Sequence, residues 1–129
     1  MATPAQLMQI GQKVVEMNNQ GNYEELFATL YVPDAVSAEA IAMPGQASNE
    51  AVGMKAIISK GEWWESTNEV HDFKAEGPFV HGTDRFCVIF DMDTTNKESG
   101  QRSQMREVAT YYVNDEGKIT REEFAYALG

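Results

Sequence analysis

The residues best suited to chemistry in this 129-residue chain are carboxylates set among apolar neighbours. Side chains of a strand point to opposite faces in turn. From Gln104 onward one face reads Met105, Glu107, Ala109, Tyr111, Val113, and the other Gln104, Arg106, Val108, Thr110, Tyr112. Glu107 is the only charge on the first face. Burying a carboxylate is costly unless it is paired. Its pKa then rises, and it can move protons near neutrality. The last apolar segment repeats the pattern. Thr120, Glu122, Phe124 and Tyr126 share one face, and Ile119, Arg121, Glu123 and Ala125 the other. A third strand carries Phe86, Val88, Phe90 and Met92 on one side.

Other clusters imitate sites without completing them. Asn114-Asp115-Glu116-Gly117-Lys118-Ile119-Thr120-Arg121-Glu122-Glu123-Phe124 resembles a calcium-binding EF-hand loop. With Gly117 at position 6 and Glu123 at position 12, position 1 falls on Tyr112, where an acidic oxygen ligand is required. Val108 to Val113 is strand-like where that motif needs a helix, so the segment is expected to be a hairpin turn. Asp91 and Asp93 with Thr95 read as a solvated strand end. His71 and His81 lack the converging partners of a metal site, so no metal is expected. Cys87 sits in an apolar stretch, where a free thiol usually packs.

These residues need elements to hold them. Thr3 caps a first helix with Pro4 at an early position. Leu7, Ile10, Val14 and Met17 follow at three- and four-residue spacing, and the helix runs to about Asn19 and stops at Gly21. Asn22 caps a second helix bearing Tyr23, Leu26, Phe27 and Leu30, which Pro33-Asp34 breaks. A short strand is expected over Ala35 to Ala40, a loop over Met43 to Asn49, and a third helix from about Glu50 to Glu65. The remainder alternates as strands over Val70–Ala75, Arg85–Asp93, Gln104–Val113 and Lys118–Ala127. Gly77-Pro78, Gly82-Thr83, Asn96–Gly100 and Asp115-Glu116-Gly117 punctuate them. Helices first and an antiparallel meander after predict an α+β fold. A strongly bent, mostly antiparallel sheet wrapped on three N-terminal helices makes a cone with a cavity.

Bulk properties narrow the function. The length suits one domain spanning residues 1–129. Apolar residues are 43% and charged residues 23%, ordinary for a globular protein. A net charge of −10 with scattered basic residues argues against nucleic acid and anionic membrane surfaces. No apolar run approaches the roughly 20 residues of a membrane helix. A single cysteine and the lack of a signal-peptide pattern agree with a cytoplasmic location.

The order of elements, Leu30-Tyr31-Val32-Pro33-Asp34-Ala35-Val36 after a helical pair, Gly53 opening a helix, and Asp115-Glu116-Gly117-Lys118-Ile119 before a last strand resemble the SnoaL-like proteins of the nuclear transport factor 2-like superfamily. That group includes ketosteroid isomerases and polyketide cyclases. Phe90-Asp91-Met92-Asp93-Thr94-Thr95, Gly100-Gln101-Arg102, Glu107-Val108 and Gly117-Lys118-Ile119 resemble a largely uncharacterised bacterial branch. The resemblance implies the cone fold and a small-molecule pocket. Against the ketosteroid isomerases it places Glu39 at the catalytic base, Val14 at the oxyanion-stabilising tyrosine and Ala109 at the protonated aspartate. Two of those three groups are therefore absent. It also implies that Glu107, Ala109, Tyr111, Glu122, Phe124 and Tyr126 look inward, with Lys60 on the third helix.

The resulting constellation is Glu39, Lys60, Glu107 and Tyr126, with Trp63 or Trp64 and His71 at the mouth and Phe90, Met105, Tyr111, Glu122 and Phe124 lining the pocket. Lys60 is expected to neutralise Glu107, leaving Glu39 as proton acceptor. One reading is a cofactor-free cyclase or isomerase-type enzyme, or a hydratase or hydrolase, acting on a small apolar molecule by carboxylate acid–base chemistry. Another is a non-catalytic binding module. A third is an interaction role through the outer sheet face, where Gln104, Arg106, Val108, Thr110 and Tyr112 mix polar and apolar groups. Similar folds dimerise there, so a homodimer is expected.

Overall fold

The computed structural model describes residues 1–127. Helix α1 spans Pro4–Gln20. Thr3 Oγ1 accepts from the Gln6 backbone at 3.1 Å while Gln6 Oε1 accepts from the Thr3 backbone at 2.8 Å, a reciprocal capping box. Gly21, with φ of 69°, closes the helix in the left-handed conformation. Leu7 and Val14 are fully buried beneath it. Helix α2 spans Tyr23–Leu30 and α3 spans Met54–Thr67.

Six strands follow the order β2-β1-β6-β5-β4-β3: β1 Tyr31–Ala38, β2 Glu50–Val52, β3 Asn68–His81, β4 Arg85–Asn96, β5 Arg102–Val113 and β6 Ile119–Ala125. β1 runs parallel to β6, and every other pairing is antiparallel. The sheet is curved and does not close, and with three helices it forms the α+β architecture expected from the sequence. Helix α1 lies over β3 and β4, and α3 packs on β1, β2 and β3. Phe86, Val88, Phe90, Ala109 and Tyr111 are buried on the concave face. Phe86 stacks on Tyr111 with ring centroids 5.2 Å apart.

Several boundaries differ from the sequence reading, each for a local reason. Helix α2 ends at Leu30, and Pro33 lies within β1 rather than ending a helix. Between Tyr31 and Val36 β1 advances five residues while β6 advances two, so Pro33 falls in a bulge where no ladder donor is needed. The third helix begins at Met54, not Glu50, because Glu50–Val52 pair antiparallel with Val36–Ala38 as β2. Gly53, at φ 88°, makes the turn between them. Gly77-Pro78 does not end β3; the strand absorbs it in a register shift between Glu76 and Phe79. The EF-hand look-alike is a hairpin turn, held by Asn114 Oδ1 accepting from the Glu116 and Lys118 backbones at 3.0 Å each.

Gly11 sets the seat of α1. A Cβ there would fall 2.4 Å from Pro78 Cβ and 3.2 Å from the Phe86 ring. The rigid Pro78 ring cannot rotate away. Gly11→Ala is therefore expected to cost about 1–3 kcal/mol through overpacking, despite the better helix propensity of Ala. A urea midpoint equal to or above that of the parent would show that the helix slides aside freely.

Candidate functional site

The strand register stacks the concave face in rows. In one row Ser37 of β1 pairs with Glu122 of β6, which pairs with Tyr111 of β5 and then Phe86 of β4. In another, Glu107 pairs with Phe90, and Phe90 with Ala75 of β3. Ala109 and Phe124 lie between the two. The two acids singled out by strand alternation thus occupy one face, separated by an apolar row.

Glu122 is buried and satisfied. Ser37 Oγ donates to its Oε2 at 2.6 Å, and the Tyr31 hydroxyl donates to its other oxygen. Lys60 Nζ donates to Ser37 Oγ at 2.5 Å, lies 4.0 Å from Glu39 Oε1 and sits 5.3 Å from the Phe124 ring centroid. Lys60 therefore pairs with Glu39 and reaches Glu122 through Ser37, rather than forming the expected pair with Glu107. The cause is register: the parallel β1–β6 pairing sets Ser37 beside Glu122, on the side that α3 covers.

Burial raises the pKa of all three carboxyls above the ordinary value. In Glu39, burial and nearby Glu122 outweigh the Lys60 charge. In Glu122, burial outweighs the Ser37 and Tyr31 hydrogen bonds and Lys60. Glu107 is pushed up to about 7, first by burial and then by Glu39, against Lys60. The Tyr126 phenol is also raised, by burial and then by Glu39 and Glu107. Glu39 Oε2 is buried and has no hydrogen-bond partner among the described residues.

Glu39 and Lys60 line a cleft of about 380 Å³ between α3 and the 39–50 segment. Ala56, Ser59, Lys60 and Trp63 recur at helical spacing and form one wall. Met43 and Pro44 belong to the facing wall. The base of that loop is fixed by Glu39 N donating to Asn49 O and Asn49 Nδ2 donating to Glu39 O, both at 2.9 Å.

Of the residues expected at the site, Glu39, Lys60 and Trp63 meet at this cleft. Phe90 packs between Phe73 and Phe124, at centroid distances of 5.6 and 6.5 Å, and Tyr111 is buried. These aromatics fill the concave face. Met105 pairs with Met92 farther along the sheet, and Trp64 packs half-buried against the core. His71 is not at the mouth. It is exposed and hydrogen-bonded to Thr95 at 2.7 Å, beside Asp93. A register shift between Val70 and Asp72 turns it from the face that strict alternation assigns. Ser37, Tyr31 and the loop wall were missed; a buried Glu122 demands donors, but the sequence does not say which hydroxyls supply them.

On the outer face Tyr112 donates to Glu123 at 2.8 Å under the Arg85 guanidinium, and Arg106 lies near Asp91 and Glu76, with Val108 exposed. Among the described residues no helix is long and apolar enough to cross a membrane.

The comparisons agree with this architecture. The SnoaL-like domain family matches residues 6–126. A crystal structure of a candidate SnoaL-like polyketide cyclase from Mesorhizobium loti is 36% identical, covers 92% of this chain and 97% of its own, and superposes with a TM-score of 0.80. A Mycobacterium tuberculosis protein in complex with estradiol-17β-hemisuccinate shares the fold at 20% identity, with 98% and 96% coverage and a TM-score of 0.72. An NTF2-like protein of unknown function from Burkholderia pseudomallei does so at 16% identity, with 98% and 92% coverage and a TM-score of 0.74. No curated protein matches the chain. The family match over nearly its whole length, together with the helices and curved sheet described above, shows that this chain belongs to the SnoaL-like domain family.

Proposed function

We propose that the protein is a cofactor-free enzyme of the cyclase or isomerase type, moving a proton on a small, mostly apolar substrate held in the cleft beside α3. The observation that carries this reading is the Glu39 carboxyl, which lines the cleft with its Oε1 4.0 Å from Lys60 and whose pKa burial raises. A partly desolvated carboxylate holds a proton more tightly than an exposed one, so it is the stronger base. Glu39 as carboxylate takes a proton from carbon next to a substrate carbonyl, giving an enolate. Lys60 supplies positive charge at the same floor. Glu39, now protonated, returns the proton at another carbon, and Glu107 holds a second exchangeable proton near neutrality. The 36%-identical relative, named as a candidate polyketide cyclase, supports the reaction class.

Deuterium exchange into the acidic C–H of benzoylacetone, an apolar 1,3-diketone, tests this reading. Wild-type protein is expected to accelerate exchange over buffer, and Glu39→Gln to lose about 10²–10⁴-fold of that acceleration. Equal exchange by both proteins removes Glu39 as the base. A non-catalytic binding role is favoured by one observation. Val14 and Ala109, where the isomerase resemblance looks for oxyanion donors, are apolar and fully buried. Ligand binding with no exchange above buffer would select it.

A further inference from the structure

We propose that Ser37 and Glu122 are positioning residues of the cleft: Glu122 aligns the Ser37 hydroxyl, and Ser37 holds the Lys60 ammonium opposite Glu39. This rests on the reading above, in which Glu39 and Lys60 are the working pair. Neither Ser37 nor Glu122 lines the cleft, so they act on it through Lys60. Ser37 Oγ, at 2.5 Å, is the one hydrogen-bond partner of Lys60 among the described residues. The other contacts of the ammonium, Glu39 Oε1 at 4.0 Å and the Phe124 ring at 5.3 Å, attract it without fixing its direction. The direction of each hydrogen bond follows from counting protons. An ammonium only donates, and a hydroxyl has a single proton. With Lys60 donating to it, Ser37 must send its own proton elsewhere, and Glu122 Oε2 accepts it at 2.6 Å. Ser37 is fully buried and Glu122 only 5% exposed, so bulk water does not compete for either. Tyr31 holds the other Glu122 oxygen, which keeps the carboxyl from turning away. An acceptor on the far side of Ser37 also strengthens the bond that Ser37 receives. Lys60 needs such an anchor. Its stem is flexible and its tip strongly hydrated, so a loose ammonium at the cleft wall extends toward water.

Competitive acetylation of lysines, read by mass spectrometry, measures how firmly the ammonium is held. Labelling is run well below the melting temperature of each variant, with exposed Lys55, Lys74 and Lys97 as internal references. Ser37→Ala and Glu122→Met each remove a link of the chain. Glu122→Gln keeps an oxygen that accepts from Ser37. Relative to the references, Lys60 is expected to react about tenfold faster in Ser37→Ala and Glu122→Met than in wild type and Glu122→Gln, the loss of one charge-assisted hydrogen bond. Equal Lys60 rates in wild type and Ser37→Ala overturn the proposal. So do equal rates in Glu122→Gln and Glu122→Met, because lost packing alone does not separate those two. The Gln and Met pair decides the matter should Ser37→Ala fold poorly. In benzoylacetone exchange, Ser37→Ala is expected to lose about tenfold in kcat with KM little changed, since the enolate meets the Lys60 charge only as it forms. An unchanged kcat beside faster labelling also overturns the proposal. Wild-type protein without exchange, but with Lys60 labelling that follows Ser37 and Glu122, removes the enzymatic reading and leaves the anchoring of Lys60 standing.

Discussion

Lys60→Met is expected to unfold far more easily than wild type near pH 8 and only slightly more easily near pH 4.5. The Lys60 charge lowers the pKa of Glu39, Glu107 and Glu122, each already raised by burial. Removing it lifts all three further. A group whose folded pKa exceeds its unfolded value costs nothing while protonated in both states. Its penalty grows as pH rises through the unfolded value, 4.5, to the folded one. Breaking a buried ion pair from one side costs about 3–5 kcal/mol. The lower end applies, because the Lys60 and Glu39 side chains keep 20% and 18% exposure. Urea unfolding at the two pH values measures the effect. A deficit of the same size at both would mean that Lys60 acts by packing over Phe124, not by charge.

Glu107→Gln is expected to move stability in the opposite direction. Its carboxyl rises from 4.5 to about 7, so it is neutral in the folded protein where the unfolded chain would ionise. Ionisation of the unfolded chain therefore drains stability as pH climbs from 4.5 toward 7, and the loss is complete above that. At about 1.4 kcal/mol per pKa unit the drain approaches about 3 kcal/mol. Gln keeps the shape without the titration, and its amide meets the same apolar row. The variant should gain most of that amount near pH 8 and nothing below pH 4.5, shifting the melting temperature on the order of 10 °C. A melting temperature near pH 8 at or below that of wild type would show that the Glu107 carboxylate is stabilised in place. The same residue offers a trade of stability for activity. If Glu107 holds a working proton, the stabilised variant should lose the limb near pH 7 in the exchange profile.

Much of the frame was legible before the fold was known. The α1 caps depend on neighbours only three residues away: Thr3 and Gln6 at one end, Gly21 at the other. The β4 and β5 faces were legible because strand periodicity is strict, which is why Phe86, Val88 and Phe90 emerge buried and Glu107 stands out as an acid among apolar residues. The resemblance to the SnoaL-like proteins added Glu39 and Lys60, which do meet at one cleft.

Local sequence specifies which segments are helix or strand over most of the chain, which strand faces are apolar, and which acids lie on them. These properties follow from local capping and from periods of two and 3.6 residues, so nearby residues suffice to specify them. Which groups face those acids depends on long-range packing. Ser37 and Glu122 are 85 residues apart and meet because β1 lies parallel to β6. Lys60 takes Glu39 instead of Glu107 because α3 covers that side of the sheet. His71 leaves the expected face because one bulge shifts the alternation, and β2 exists only because β1 offers an edge to pair with. Register and bulges are settled by the packing of whole strands. The charge balance around Glu39, and with it the chemistry of the cleft, is therefore a property of the assembled sheet.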